Sequence, residues 1–190
     1  MCPKDLSNNK TLICTRNPYD VHESWWTFHA RIAENGQEFQ AAQLDRDEFI
    51  KIVRENEHVY GPWVEWHNSW VQEANNNKNV YIYHFEDLVT YPEQTINKIA
   101  KFLGITVTDK HMAKILKLIN LDTMKKIENN TDINEDNKVR NGKIGASLKS
   151  LSELTVNKLT GDLRRIDPIF GHVDVVRKYL PGIDLNKVSL

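Results

Sequence analysis

Cysteine is nearly missing from this chain: Cys2 and Cys14 are the only two in 190 residues. Two cysteines cannot build a disulfide framework, and Cys14 lies in an apolar run, so a reducing compartment is expected. A signal-peptide core is also lacking, because the opening MCPKDLSNNK holds no apolar stretch. No window approaches the ~18 consecutive apolar residues needed to cross a bilayer. Neither sign of charge is in excess: 25 Lys+Arg stand against 26 Asp+Glu, for a formal net charge of −1. Without an overall basic field there is no case for nucleic acid, and any anion site has to be local. There is no internal repeat. The absences leave one cytoplasmic domain over residues 1–190, with no membrane partner. Its 40% hydrophobic and 27% charged residues suit a packed core.

What is present reads as strands separated by helices. TLICT, residues 11–15, is a short apolar run expected as a strand buried on both faces. Asn17 is placed as an N-cap and Pro18 as the first helical residue, opening a helix to about Glu34 that stops near Gly36. A second helix starts at Asp47. A third starts at Tyr60, with Pro62 in its first turn and Trp63, Trp66 and Trp70 on one face. VYIYHF, residues 80–85, is the second clear strand. Thr90 and Glu93 have capping-box spacing, with Ile96, Ile99, Ala100 and Leu103 on one helical face and Gly104 as its stop. Met112, Ile115, Leu116 and Ile119 mark the next helix. Residues 128–138 form a polar loop, Ser150 and Glu153 repeat the capping-box spacing, and residues 172–190 make a C-terminal tail that matches no pattern. The fold class is α/β, a partial parallel sheet flanked by helices. Two strands are few where ~4–6 are usual, so the sheet is expected to lack, or to borrow, strands on its N-terminal side.

The sharpest local feature is the switch from strand to helix at ICTRNPYDVHES, residues 13–24. Ligands of open parallel sheets sit beyond the carboxyl ends of the strands, and Arg16 is at such an end. The helix that follows aims its free N–H groups at the same place, which favours an anion. A guanidinium fork matches two phosphate oxygens, and Ser24 lies ~9 Å further along the helix. On local pattern alone an Arg16–Asp20 ion pair with Ser24 merely exposed is an equal reading.

RNPYDVHES resembles the 3′-phosphate-binding motif of sulfotransferases, Arg-Asn-Pro with a serine eight residues after the arginine. Further segments resemble the cytosolic family in order. YGPWVEWHNSW resembles its Tyr-Gly-x-Trp segment, and VYIYHFEDLVTYPEQTINKIAKFLGI its Tyr-Glu-Asp-Leu strand and helix. INLDTM falls at its Thr-Ser-Phe-x-x-Met, and VRNGKIGASLK is similar to its Arg-Lys-Gly-x-x-Gly-x-Trp-Lys signature. The resemblance runs from residue 10 to about residue 165. It implies an incomplete P-loop-like sulfotransferase fold and 3′-phosphoadenosine 5′-phosphosulfate (PAPS) as co-substrate. No metal is expected, because His22 and His29 are seven residues apart and no Cys or carboxylate cluster joins them. The complete enzyme would move a sulfuryl group to a small-molecule alcohol, phenol or amine, and a homodimer stays open. A non-catalytic nucleotide-binding or regulatory relative is the alternative, and a Golgi carbohydrate sulfotransferase a third reading.

Carried over by residue, the resemblance assigns Arg16, Ser24, Arg140, Asn141 and Gly142 to the 3′-phosphate. Phe85, Asn120 and Met124 fall on the ribose and adenine side, and Gly142 and Gly145 would let backbone approach the ligand. Several positions depart from the family. Phe85 replaces a tyrosine, Asn120 and Leu121 a Ser-Phe pair, Asn141 a lysine and Leu148 a tryptophan. Lys149, Thr155-Val156 and Thr160 do not keep the spacing of the family's dimerisation motif. The family's catalytic parts, a lysine-bearing 5′-phosphosulfate loop and a histidine, find no match before residue 11, so no catalytic residue is assigned and the chain is expected to be an N-terminally truncated, inactive portion. Trp25, Phe28 and His29 are the acceptor-pocket candidates, although a half-buried helix residue is the plainer account of His29. Trp63 and Trp70 are assigned to the core.

Overall fold

The protein is described by a computed structural model that covers residues 9–34, 44–55, 62–129 and 142–187. Strand β1 (Thr11–Thr15) pairs in parallel with β2 (Val80–His84), in a register running from Thr11 opposite Val80 to Thr15 opposite His84. The strands therefore end level, and Arg16 and Phe85 leave the sheet side by side. A hydrogen bond between Thr15 Oγ1 and His84 Nδ1 (2.9 Å) ties the two ends.

Helix α1 (Pro18–Glu34) follows β1 after the two residues Arg16 and Asn17. Then come α2 (Arg46–Arg54), α3 (Trp63–Asn68) and α4 (Val71–Asn76) before β2. Helix α5 (Phe85–Thr90) starts directly at the end of β2, followed by α6 (Pro92–Leu103), α7 (Asp109–Leu118) and α8 (Leu121–Asn129). A short 3-10 turn at Ala146–Lys149, α9 (Glu153–Leu163) and α10 (His172–Tyr179) complete the described chain. These two strands are the only ones among the described residues.

The core lies on one side of the sheet. Ile13 of β1 packs with Tyr19 of α1, Phe49, Ile50 and Val53 of α2, Trp63 of α3, Leu159 and Leu163 of α9, and Val176 of α10. Fully burying such side chains is worth about 1.5–3 kcal/mol each. A two-pronged ion pair of Arg54 with Asp162, at 2.6 and 3.0 Å, fastens α2 to α9.

Several sequence expectations need correction. TLICT is not buried on both faces: Ile13 and Thr15 are buried, whereas Leu12 and Cys14 are exposed. On that second face α6 contributes Phe102, stacked on Tyr81 at 5.3 Å. The helix expected from Tyr60 breaks into α3 and α4, with Pro62 as its cap, and Tyr60 lies outside the described residues. The reason for the break is long-range. Asn68 Nδ2 donates to the Arg165 carbonyl (2.9 Å) and Asn68 Oδ1 accepts from the Asp167 amide (3.1 Å), so the end of α3 is pinned to another segment. Thr90 closes α5 rather than capping α6, and the working cap of α9 is Ser152, not Ser150. Of the expected polar loop 128–138, Glu128 and Asn129 are helical, and the rest lies outside the described residues, as does Gly36. Gly104 does end its helix, in the left-handed conformation at φ 77°. The C-terminal tail includes a docked helix: His172, Val175 and Val176 of α10 are buried, and Lys178 and Tyr179 both donate to Asp87 of α5.

Candidate anion site at the strand ends

Asn17 starts the site. Its Oδ1 accepts from the Asp20 amide (2.9 Å), capping α1 as the sequence predicts. Its Nδ2 donates to Asp20 Oδ2 (2.9 Å) and to Glu86 Oε1 (2.6 Å), and Glu86 Oε1 also accepts from the Asn17 amide (2.8 Å). Asn17 and Glu86 are both fully buried. The start of α1 and the start of α5 are thus locked together just beyond the level strand ends.

Arg16 lies over this lock. Its guanidinium carbon is 4.2 Å from the centre of the Phe85 ring, a cation–π contact. Its Nη2 donates to Asp20 Oδ2 (3.2 Å) and to the Lys143 carbonyl (3.3 Å). The side chain keeps 24% of its surface, while its Nε is closed off and has no acceptor among the described residues.

The second wall is the segment from Gly142. Gly142 and Gly145 have φ of 57° and 70°, a conformation that side chains other than glycine rarely adopt. The Gly145 amide (2.8 Å), the Ser147 amide (3.3 Å) and Ser147 Oγ (2.7 Å) all donate to Asp20. Burial works to raise the Asp20 pKa, but the bonds from Asn17, Ser147 and Gly145 and the charge of Arg16 outweigh it, so the carboxyl titrates below its ordinary range.

The structure brings Arg16 onto Phe85 and against the carbonyl of Lys143, the residue after Gly142. A Cβ on Gly142 would lie 3.8 Å from Leu121 Cδ1, so the start of α8 borders the same place. There Asn120 Oδ1 caps α8, accepting from the Asp122 (3.1 Å) and Thr123 (3.3 Å) amides. Met124 is 41% exposed on α8. Ser24 is exposed on α1, and the Arg16–Asp20 ion pair is formed, as in the plainer local reading. Arg140 and Asn141 lie outside the described residues.

Trp25 is half-buried and Phe28 exposed on α1. His29 is corrected: it is buried, with its ring 5.4 Å from Phe49 of α2, and belongs to the packing between two helices rather than to an open pocket wall. Gly145 is corrected too. Its amide serves Asp20, and a Cβ there would collide with Leu180 Cδ2, so its missing side chain makes room for Leu180 and not for a ligand. Sequence reasoning missed Glu86, Ser147 and the central place of Asp20. Only Asp20 left a trace, three residues after Asn17, where a carboxyl completes a helix cap.

No group of three or more His, Cys, Asp or Glu among the described residues could hold a metal ion. None of the described helices is long and apolar enough to cross a membrane.

A family model described as "Sulfotransferase domain" matches residues 1–163. Cytosolic sulfotransferase 13 of Arabidopsis thaliana is 27% identical over 142 residues, 72% of this chain and 41% of that protein. A 3-alpha-hydroxysteroid sulfotransferase of Cavia porcellus is 26% identical over 124 residues, covering 64% and 40%. The chain thus spans about two fifths of the length of these relatives. Among solved structures, a mouse sulfotransferase, SULT7A1, complexed with PAP has a TM-score of 0.73 at 22% identity, over 90% of this chain and 63% of that one. A retinol dehydratase in complex with retinol and PAP has a TM-score of 0.69 at 20% identity, over 86% and 49%.

Proposed function

The chain belongs to the sulfotransferase family, and from that premise we propose that it carries the 3′-phosphate side of a PAPS site. The supporting observation is the convergence, beyond two level strand ends, of a stacked arginine, a capped helix start and a left-handed glycine segment. Arg16 is held by Nη2, and no described residue takes Nη1, which leaves that donor for a phosphate oxygen. A doubly charged phosphate needs more positive charge than one arginine shared with Asp20. Arg140, with Asn141 and Gly142, supplies it in this reading, and Ser24 adds a hydroxyl. Phe85, Asn120 and Met124 border the nucleoside, and Trp25 and Phe28 face the acceptor.

The complete protein, in this reading, is a cytoplasmic enzyme that transfers a sulfuryl group from PAPS to a hydroxyl or amine of a small molecule. That transfer displaces adenosine 3′,5′-bisphosphate, so the bisphosphate is the direct probe of the site. At a hundredfold excess over its dissociation constant a ligand stabilises the folded state by about 2.7 kcal/mol, which is a rise of roughly 5–10 °C in melting temperature for a chain of this size. Adenosine 3′,5′-bisphosphate is expected to produce that rise, and Arg16→Ala to remove it. Equal shifts in both proteins reject the assignment.

A further inference from the structure

We infer that Asp20 is a positioning residue of this site, the carboxylate that sets the direction of Arg16 and the course of the segment from Gly142. The inference rests on the phosphate reading above and adds to it a residue that never meets the phosphate.

Asp20 is 4% exposed. Its two oxygens receive Arg16 Nη2, Asn17 Nδ2, the Gly145 and Ser147 amides and the Ser147 hydroxyl. These donors come from three places: the end of β1, the start of α1, and a segment more than a hundred residues away in sequence. Among the described residues no other side chain joins all three. The geometry also divides the guanidinium. Nη2 donates to Asp20 and to the Lys143 carbonyl, and the ring of Phe85 covers one face, while Nη1 has no acceptor among the described residues. A planar fork held at one nitrogen and across one face has little rotation left.

The segment fixed at Gly145 and Ser147 includes Lys143, whose carbonyl accepts from Arg16 Nη2. Tying it to Asp20 sets where that carbonyl meets Arg16. A carboxylate so close to a phosphate site also repels the ligand. That repulsion is offset by neutral donors that bind Asp20 more closely than Arg16 does: Ser147 Oγ at 2.7 Å on Oδ1, and the Gly145 amide at 2.8 Å on the Oδ2 that Arg16 meets at 3.2 Å.

The test compares two nucleotides on the full chain by calorimetry: adenosine 3′,5′-bisphosphate and adenosine 5′-monophosphate, which lacks the 3′-phosphate. Wild type is expected to prefer the bisphosphate. In Asp20→Asn the preference is expected to fall about tenfold, the scale of one charge-assisted contact, with the monophosphate constant unchanged. Asp20→Glu, which keeps the carboxylate, is expected to restore part of the preference. An unchanged preference in Asp20→Asn overturns the inference. So does an equal loss for both nucleotides, which is the mark of a merely structural role. If Asp20→Asn does not fold, Ser147→Ala takes its place: a preference lowered about threefold supports the inference, and an unaltered one overturns it. If wild type does not distinguish the nucleotides, the phosphate reading itself fails and takes the inference with it.

Discussion

Two sets of buried titratable groups flank the strand ends, and they solve burial in opposite ways. On one side Asp20 is ringed by hydrogen-bond donors. On the other, His22, His67 and His172 are ringed by aromatic carbon: Trp63 lies 4.4 Å from His67 and 4.8 Å from His172, and Phe170 lies 5.0 Å from His67. Both sets titrate lower than in water. For Asp20 that means the charge is kept, because the donors overcome the cost of burial. For the histidines it means the charge is refused. Burial pushes His22 and His67 down to about 4 and His172 to about 2. His84, bonded to Thr15 and 5.2 Å from His172, joins the two sets and is also lowered by burial, although Glu86 and Asp87 pull it upward. What a buried group does with its proton is decided by its neighbours, not by depth alone.

The comparison predicts a separation in pH, and this is the largest effect expected. A histidine whose pKa is lowered on folding leaves stability intact above about 6.5, the unfolded value, and loses it as pH falls from there toward the folded value. At pH 5 each of His22, His67 and His172 should have removed about 2 kcal/mol, on the order of 5 kcal/mol together. Denaturant titrations at pH 7 and pH 5 measure this. His172→Phe, which suits the aromatic surroundings, should lower the difference by about a third. Asp20 contributes stability above about 3.9 that is lost as pH falls through its depressed folded value, so Asp20→Asn should leave the pH 5 to 7 difference unaltered. A changed difference in Asp20→Asn would break the contrast.

A smaller effect tests how the C-terminal helix reaches the donor-rich side. Gly145→Ala forces a Cβ against Leu180 at a positive φ and should cost about 2–4 kcal/mol. The same change at Gly104, where φ is 77° but the nearest atom is the flexible Lys10 Nζ at 3.4 Å, should cost only about 1 kcal/mol. Adding Leu180→Ala should offset part of the Gly145→Ala loss; strict additivity of the two would mean that Leu180 does not restrain the segment. The smallest effect is Tyr179→Phe, which removes the hydroxyl bonded to Asp87 and should cost about 1 kcal/mol, read from the denaturation midpoint.

Much of the frame was legible because it rests on neighbours in sequence. Asn17 before Pro18 caps α1 through its own side chain, and Gly104 stops α6 through its own backbone. The errors fall where distant segments intervene. The tryptophan-rich helix breaks because Asn68 is bonded to Arg165 and Asp167, about a hundred residues later. His29, plausible as an acceptor contact from its aromatic neighbours, is claimed by Phe49. The tail from His172, without a recognisable pattern, docks by burying His172, Val175 and Val176 and by two hydrogen bonds to Asp87.

By itself the sequence determined the order of strand and helix, the family, and the identity of Arg16 as the residue at the strand end, since hydrophobic runs, caps and turns act over a few residues and leave a local trace. Only tertiary structure decided that Asp20 is central, that Phe85 covers Arg16, and that His67 and His84 meet His172 at the start of α10. Those outcomes depend on which surfaces come into contact when the chain closes, and a carboxylate has the same letter whether it faces water or a ring of buried donors.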